Sequence, residues 1–399
     1  MTTRYYRGSN FFKQRIVLST ITCTPVKITD IRSASDSPGL RPFEINLLRL
    51  LDRISDGMRL KVDATGTEVF YQPGLLIGSA LDLPPLLHNC GTDRSMTYFL
   101  EALLLLGPFC KHPLEIKFKG VTHGGEDISI DTFRNVTLPL MKRLGLPEGF
   151  YLRIITRGAA PEGGGEVVFR SPKVEKIQPF TWLDEGKVKR IRGVVSSMRL
   201  SPQFSNKCID KTRAVFNNFL PDVWIYNDVC KVEKEGKSIG YGISLVAETI
   251  KGSFKGVDAY FDSTKGNFPA IPEMENAESS KPRVDMGLLT TLDIPSLDQA
   301  ALIAELTSWE LLTQIRLGGV VDTIHQYIPI FFMAIAQEHH SCQVGVDVLL
   351  SALTPYTVQL IKHIRDFLGV VFEFEEQPDR AKVVVKCVGS GFTNAAAKT

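Results

Sequence analysis

The chain lacks any run of roughly 18–20 apolar residues, the length a bilayer-spanning helix needs. Its most apolar segment, "YIPIFFMAIA" from Tyr327, is too short and carries Pro329. The N-terminus, "MTTRYYRGSNFFKQR", is too charged for a secretory leader. Paired cysteines are missing as well. Cys23, Cys90, Cys110, Cys208, Cys230, Cys342 and Cys387 are scattered, odd in number and without a C-x-x-C pair. This argues against a disulfide framework or a structural zinc site and predicts a reducing compartment. No charge sign dominates: 46 basic against 44 acidic residues give a formal charge of +2, so no whole-molecule field draws the chain to nucleic acid or membrane. Neither a G-x-x-x-x-G-K-[ST] phosphate loop nor a G-x-S-x-G nucleophile elbow is present. These absences predict a soluble intracellular protein with no membrane contact, no metal and no cofactor. Any RNA contact must come from local clusters.

What is present is enough apolar material, 44% of 399 residues, for one large core or two or three modest ones. A degenerate repeat also shows itself. "EINLLRLLDRISDG" has helical periodicity through Ile45, Leu47, Leu48, Leu51 and Ile54, stops at Gly57, and is followed by strand, turn, strand. The same order recurs in "DTFRNVTLPLMKRLG", where Pro139 is expected to kink the helix, followed by "FYLRIITRGAAPEGGGEVVF". It recurs again in "PYTVQLIKHIRDFLG" and "VVFEFEEQPDRAKVVVKCVG". "SMTYFLEALLLLG" supplies a further helix to the second unit. "SLDQAALIAELTSWELLTQIRLGG" supplies one to the third, capped at Ser296 and ended by Gly318-Gly319.

The expected fold is α/β: three repeated units of two helices on a four-stranded sheet, with a small α+β domain inserted in the third. The expected boundaries are 1–186 for the first two units and 187–262 for the insert. Residues 263–295, poor in large apolar side chains, form an exposed connection, and 296–399 complete the third unit.

Two basic clusters stand out. Arg4, Arg7, Lys13, Arg15 and Lys27 precede the first acidic residue, Asp30, and "KVKRIR" holds Lys187, Lys189, Arg190 and Arg192. Each is either a phosphate-binding surface or a solvated one, and Val188 and Ile191 alternate as in a strand. Gly163-Gly164-Gly165 occupies the hairpin slot of the second unit, as a turn needing positive φ, an anion nest, or both. His123 and the His339-His340 pair near Cys342 do not make a metal site.

Several of these segments together resemble the RNA 3′-terminal phosphate cyclase family: "RIVLSTITCTPVKITDIRS…SPGLRP", "KGVTHGGEDISIDTFRNVTLPLMKRLG", "RGAAPEGGGEVVF" and the insert. The similarity covers most of the chain and looks closest to the eukaryotic cyclase-like branch. Two departures from the enzymes follow. Where they open with an acidic residue and glycines, this chain has Tyr6-Arg7-Gly8-Ser9-Asn10, losing an anionic metal ligand. Lys13 stands at an arginine position, Arg32 matches a basic one, and Glu101 replaces a glutamine of the nucleotide pocket. The second departure is at the nucleophile. Aligning on Gln326 puts Asp322 where the enzymes carry the adenylated histidine and His325 where they carry an aspartate. A carboxylate is the poorer nucleophile, so Asp322 reads as a helix-start cap or hydrogen-bonding residue.

The resemblance therefore implies a non-catalytic ribosome-assembly factor. Such a protein works in the nucleus and nucleolus within the small-subunit processome, in early pre-rRNA processing, with a GTPase partner and pre-rRNA. The alternatives are a residual cyclase using His325, oriented by Asp322, or an RNA endonuclease, for which Arg365-Asp366 offers no recognisable constellation. A protein scaffold that never touches RNA is the third reading.

Overall fold

Alternation of period two places Val26, Ile28, Val69 and Tyr71 in the interior while Lys27 and Phe70 face outward, and this pattern builds the first of four four-stranded sheets. A computed structural model describes residues 2–79, 85–124, 127–229, 236–262, 296–337, 346–377, 382–394 and 396.

The chain starts with β1 (Arg4–Arg7), α1 (Phe12–Thr22), β2 (Val26–Thr29), α2 (Pro42–Ile54), β3 (Ser55–Asp56), β4 (Arg59–Val62), β5 (Val69–Gln72) and β6 (Leu75–Leu76). Its sheet has the order β1-β2-β5-β4, with β1 parallel to β2 and the other pairs antiparallel. β3 pairs with β6 alone. Next come β7 (Leu86–Asn89), α3 (Met96–Leu106), β8 (Leu114–Gly120), α4 (Ile130–Thr132), α5 (Leu138–Arg143), β9 (Tyr151–Thr156) and β10 (Gly165–Ser171). They repeat the pattern as β7-β8-β10-β9. Between α4 and α5, Phe133–Thr137 winds as a π-helix. Pro139, which has no N–H to donate, lies two residues beyond it.

β11 (Thr181–Trp182) precedes an insert of β12 (Val188–Met198), α6 (Pro202–Phe216), β13 (Val223–Val229), β14 (Gly240–Thr249), β15 (Phe254–Asp262) and α7 (Ser296–Leu317). The chain then runs through α8 (Tyr327–Ile335), β16 (Val346–Leu350), α9 (Pro355–Leu368), β17 (Phe372–Gln377) and β18 (Lys382–Cys387). These complete a sheet β11-β16-β18-β17 with the same parallel-then-antiparallel pairing, while the insert sheet is β13-β12-β14-β15.

Two assignments from the sequence need correction. β11 lies before residue 187 yet pairs with β16, so the third sheet begins inside the 1–186 segment. α7, assigned above to the third unit, packs instead on the insert. Its Ala300, Ile303, Ala304 and Leu311 share a core with Ile191, Val195, Ile225 and Leu245. Helical periodicity shows which face of α7 is apolar but not which sheet will cover it. A separate, larger core joins the other sheets, and every residue of α8 is buried in it, which accounts for the apolar run at Tyr327. The expected connection 263–295 and the residues His339, His340 and Cys342 lie outside the described residues. Among the described residues no helix is long and apolar enough to cross a membrane.

Candidate functional site

α1 starts and stops at residues in the left-handed region, Phe11 (φ 59°) and Cys23 (φ 51°), and is buried on nearly all sides between α3 and α9. Its first turn therefore carries polar side chains into the interior, and each finds a partner there. Lys13 forms an ion pair with Glu101, both side chains under a tenth exposed, and the ammonium lies 4.4 Å from the Tyr98 ring centroid. Gln14 donates to the Tyr356 carbonyl at 3.1 Å. Arg15 donates to the Gly8 carbonyl at 2.8 Å and lies 4.7 Å over the Tyr6 ring. Tyr6 stacks on Phe367, meets His363 edge-on and donates to Asp366 at 3.3 Å. Burial, reinforced by the Arg15 charge, pushes the His363 imidazole down to about 3. The corner is a packing junction.

The space left beside it is small. Lys13, Glu101, Tyr327, Phe331, Tyr356 and Leu360 are among the residues lining a cavity of ≈ 10 Å³, at the lower limit for one water. Pockets for small molecules run to about 300–1,000 Å³. Tyr327 is among the residues lining this cavity. Burial, then the charge of Glu101 and more weakly that of Asp322, raises its hydroxyl well above the ordinary value.

Asp322 is 1% exposed, and both of its carboxylate oxygens are engaged. Oδ2 accepts the Gly256 amide of β15 at 2.8 Å. Oδ1 accepts the amides of Ile324 and His325 at 3.0 and 2.9 Å and faces His325 Nδ1 at 2.7 Å. The carboxylate thus caps the turn into α8 and pins it to the insert. His325 is fully buried, and its other ring nitrogen, Nε2, lies 2.8 Å from the Thr137 hydroxyl of the π-helical turn. Neither Asp322 nor His325 lines the cavity. A nucleophile needs a free lone pair facing its substrate, and both nitrogens of this ring are engaged. Gln326 is also consumed internally. Its amide nitrogen donates to Ser351 and Ala352, and its oxygen accepts from Thr354 and Thr357, holding the start of α9.

The basic candidates do not all converge on one surface. Arg7 is exposed and pairs with Asp30 at 2.8 Å. Arg32 grips Glu44 with two bonds of 2.9 and 2.8 Å, and Glu44 also accepts the Arg41 amide at the start of α2. In "KVKRIR", Lys189 and Arg190 both pair with Glu248, Arg192 pairs with Asp222, and Lys187 is exposed. This segment is the start of β12, with Ile191 in the insert core.

The glycine turn packs against the insert. Gly163 and Gly164 have φ of 66° and 87°. The Gly163 amide donates to Ala159 at 2.8 Å and the Glu162 amide to Ser238 at 3.0 Å, so two amides of a would-be nest are already used. A Cβ on Gly164 would meet the Lys237 amide nitrogen at 3.2 Å, and one on Gly165 would meet Thr122 Cγ2 at 2.7 Å. Beside the turn is a buried network that the sequence reading missed. Arg157 donates to Asp131, at 3.0 Å through Nη2, and to Asp228. His123 lies 2.8 Å from Thr122 Oγ1 and 3.3 Å from Ser196 Oγ. Burial alone would raise the Asp131 carboxyl, but Arg157 and His123 outweigh it and hold it well below the usual range. The network joins the second sheet's connections to the insert. The sequence signals for it were His123, singled out above, and Arg157 in the hairpin that carries the glycine turn.

Three four-stranded sheets with one pairing pattern and a fourth, inserted sheet make this a multi-sheet α/β protein. A family model described as RNA 3′-terminal phosphate cyclase matches residues 4–374. The RNA 3′-terminal phosphate cyclase-like protein of Homo sapiens is 39% identical over 396 residues, covering 98% of this chain and 96% of that protein. The probable cyclase-like protein of Arabidopsis thaliana is 40% identical over 393 residues, 98% of each chain. An rRNA processing protein of Schizosaccharomyces pombe is 33% identical over 394 residues, 98% of this chain and 96% of that one. The chain belongs to the RNA 3′-terminal phosphate cyclase family.

Proposed function

We propose that this protein is a ribosome-biogenesis factor of the small-subunit processome. In this reading it works in the nucleolus, binds a ribosome-assembly GTPase and pre-rRNA, supports early pre-rRNA processing toward small-subunit rRNA, and does not cyclise RNA ends. The observation that carries the reading is Asp322, a buried carboxylate whose hydrogen bonds all hold the fold together. The small cavity beside Lys13 and Glu101 supports it, as does the printed name of the S. pombe relative. We also take the three like-paired sheets as repeats of one unit around the 187–262 insert, with β11 given to the third unit and α7 to the insert. The test is depletion in cells with tagged protein supplied in trans. Co-purification with a GTPase and precursor rRNA, and failure of early cleavages on depletion, are expected. Normal cleavages on depletion, with RNA 3′-phosphate ends accumulating, would overturn it.

A further inference from the structure

We infer that the open face of the first sheet is a stacking platform for single-stranded RNA. This rests on the reading above that the protein binds RNA, and it names the surface and the form of RNA. The strand registers place Tyr5 opposite Lys27, Lys27 opposite Phe70 and Phe70 opposite Lys61, so one row across four strands alternates ring, cation, ring, cation. The opposite face, with Val26, Ile28, Val69 and Tyr71, is the buried one. Tyr5 is 72% exposed, Lys61 is exposed, and Lys27 and Phe70 are half-buried. Neither Tyr5 nor Phe70 belongs to a hydrophobic core among the described residues, so packing does not explain the rings. Arg59 and Arg7 extend the cationic surface on the same face, and both are exposed.

The spacing suits a nucleic acid strand. Two strand separations put the two ring-bearing positions about 10 Å apart, with Lys27 on the strand between them. Unpaired bases stack on flat rings while phosphates meet the intervening cations, and every base has a face to offer. Duplex RNA hides those faces. An acidic peptide would meet the cations but gain nothing from the two rings. Glu68 and Asp30 now hold Lys27 and Arg7 in surface ion pairs, which contribute little and exchange readily for phosphate. Elsewhere the same architecture presents the opposite chemistry: β17 exposes Glu373, Glu375 and Glu376.

The experiment is fluorescence anisotropy of the full chain with a labelled oligouridylate of about ten nucleotides, with duplex RNA and polyglutamate as competitors. Tyr5→Ala is expected to weaken binding at least about five-fold, and Tyr5→Phe, which keeps the ring, to leave it within about two-fold. Lys61→Gln is expected to reduce the slope of log affinity against log salt by about 0.7. Both positions are exposed, so the fold is not at stake. If the wild type binds and these variants bind equally well, the surface is wrong while the RNA reading stands. If the wild type does not bind, the RNA part of the proposed function fails with it. Displacement by polyglutamate as readily as by single-stranded RNA would make the face a protein-docking surface and overturn the inference.

Discussion

Replacing Asp322 by alanine removes one acceptor group that serves the amides of Gly256, Ile324 and His325 and faces the His325 ring. A buried donor left without a partner costs about 1–3 kcal/mol. Relaxation keeps the total below the simple sum, since single substitutions beyond about 5 kcal/mol are exceptional. A loss of about 4 kcal/mol is expected for Asp322→Ala. Asp322→Asn keeps the shape and one acceptor but turns an N–H toward the Gly256 amide, and about 2 kcal/mol is expected. Asp322→His supplies an imidazole without the acceptors, so it should destabilise the fold and gain no adenylation. Urea unfolding followed by tryptophan fluorescence reads all three, because Trp224 and Trp309 lie in the insert that Gly256 belongs to. If Asp322→Ala leaves stability within about 0.5 kcal/mol, the range of an uninvolved surface site, the structural role assigned to this carboxylate is wrong.

Lys13→Ala leaves Glu101 buried without its cation and is expected to cost about 3–5 kcal/mol. Combining Lys13→Met with Glu101→Met should recover most of that, read by the same denaturation. Burial pushes the imidazoles of His363 and His88 down to about 3 and about 4, against an ordinary 6.5, so the unfolded chain binds these protons first as pH falls. Stability is therefore expected to rise with pH between about 4 and 6.5, by up to about 1.4 kcal/mol per pH unit for each group, and His363→Gln should flatten that slope. Gly165→Ala drives a Cβ against Thr122 and the Gly158 amide nitrogen, at 2.7 and 2.9 Å. A loss of about 1–3 kcal/mol and faster limited proteolysis around the insert are expected.

The sequence showed the repeated helix–strand–turn–strand order because α2 and α9 each have one apolar face. It did not show α1 as a helix, since Lys13, Gln14, Arg15, Ser19 and Thr20 are buried along with the apolar residues and no polar face remains. α7 was legible as a helix and misassigned to its sheet, because the alanines that fit the insert carry no address. At the site, Asp322 was picked out from the chain as a cap or hydrogen-bonding residue. Its partners were not legible, because the donors come from β15 and the turn before α8. The Arg157–Asp131–Asp228 network was invisible for the same reason. Asp131 and Arg157 meet through the fold of the second unit, and Asp228 joins them from β13 of the insert.

Incubating the purified chain with α-labelled ATP and RNA bearing a 3′-phosphate tests the central claim most directly. No label surviving denaturation and no 2′,3′-cyclic end are expected. A covalent label that disappears in Asp322→Asn or His325→Gln, together with cyclised RNA, would contradict it.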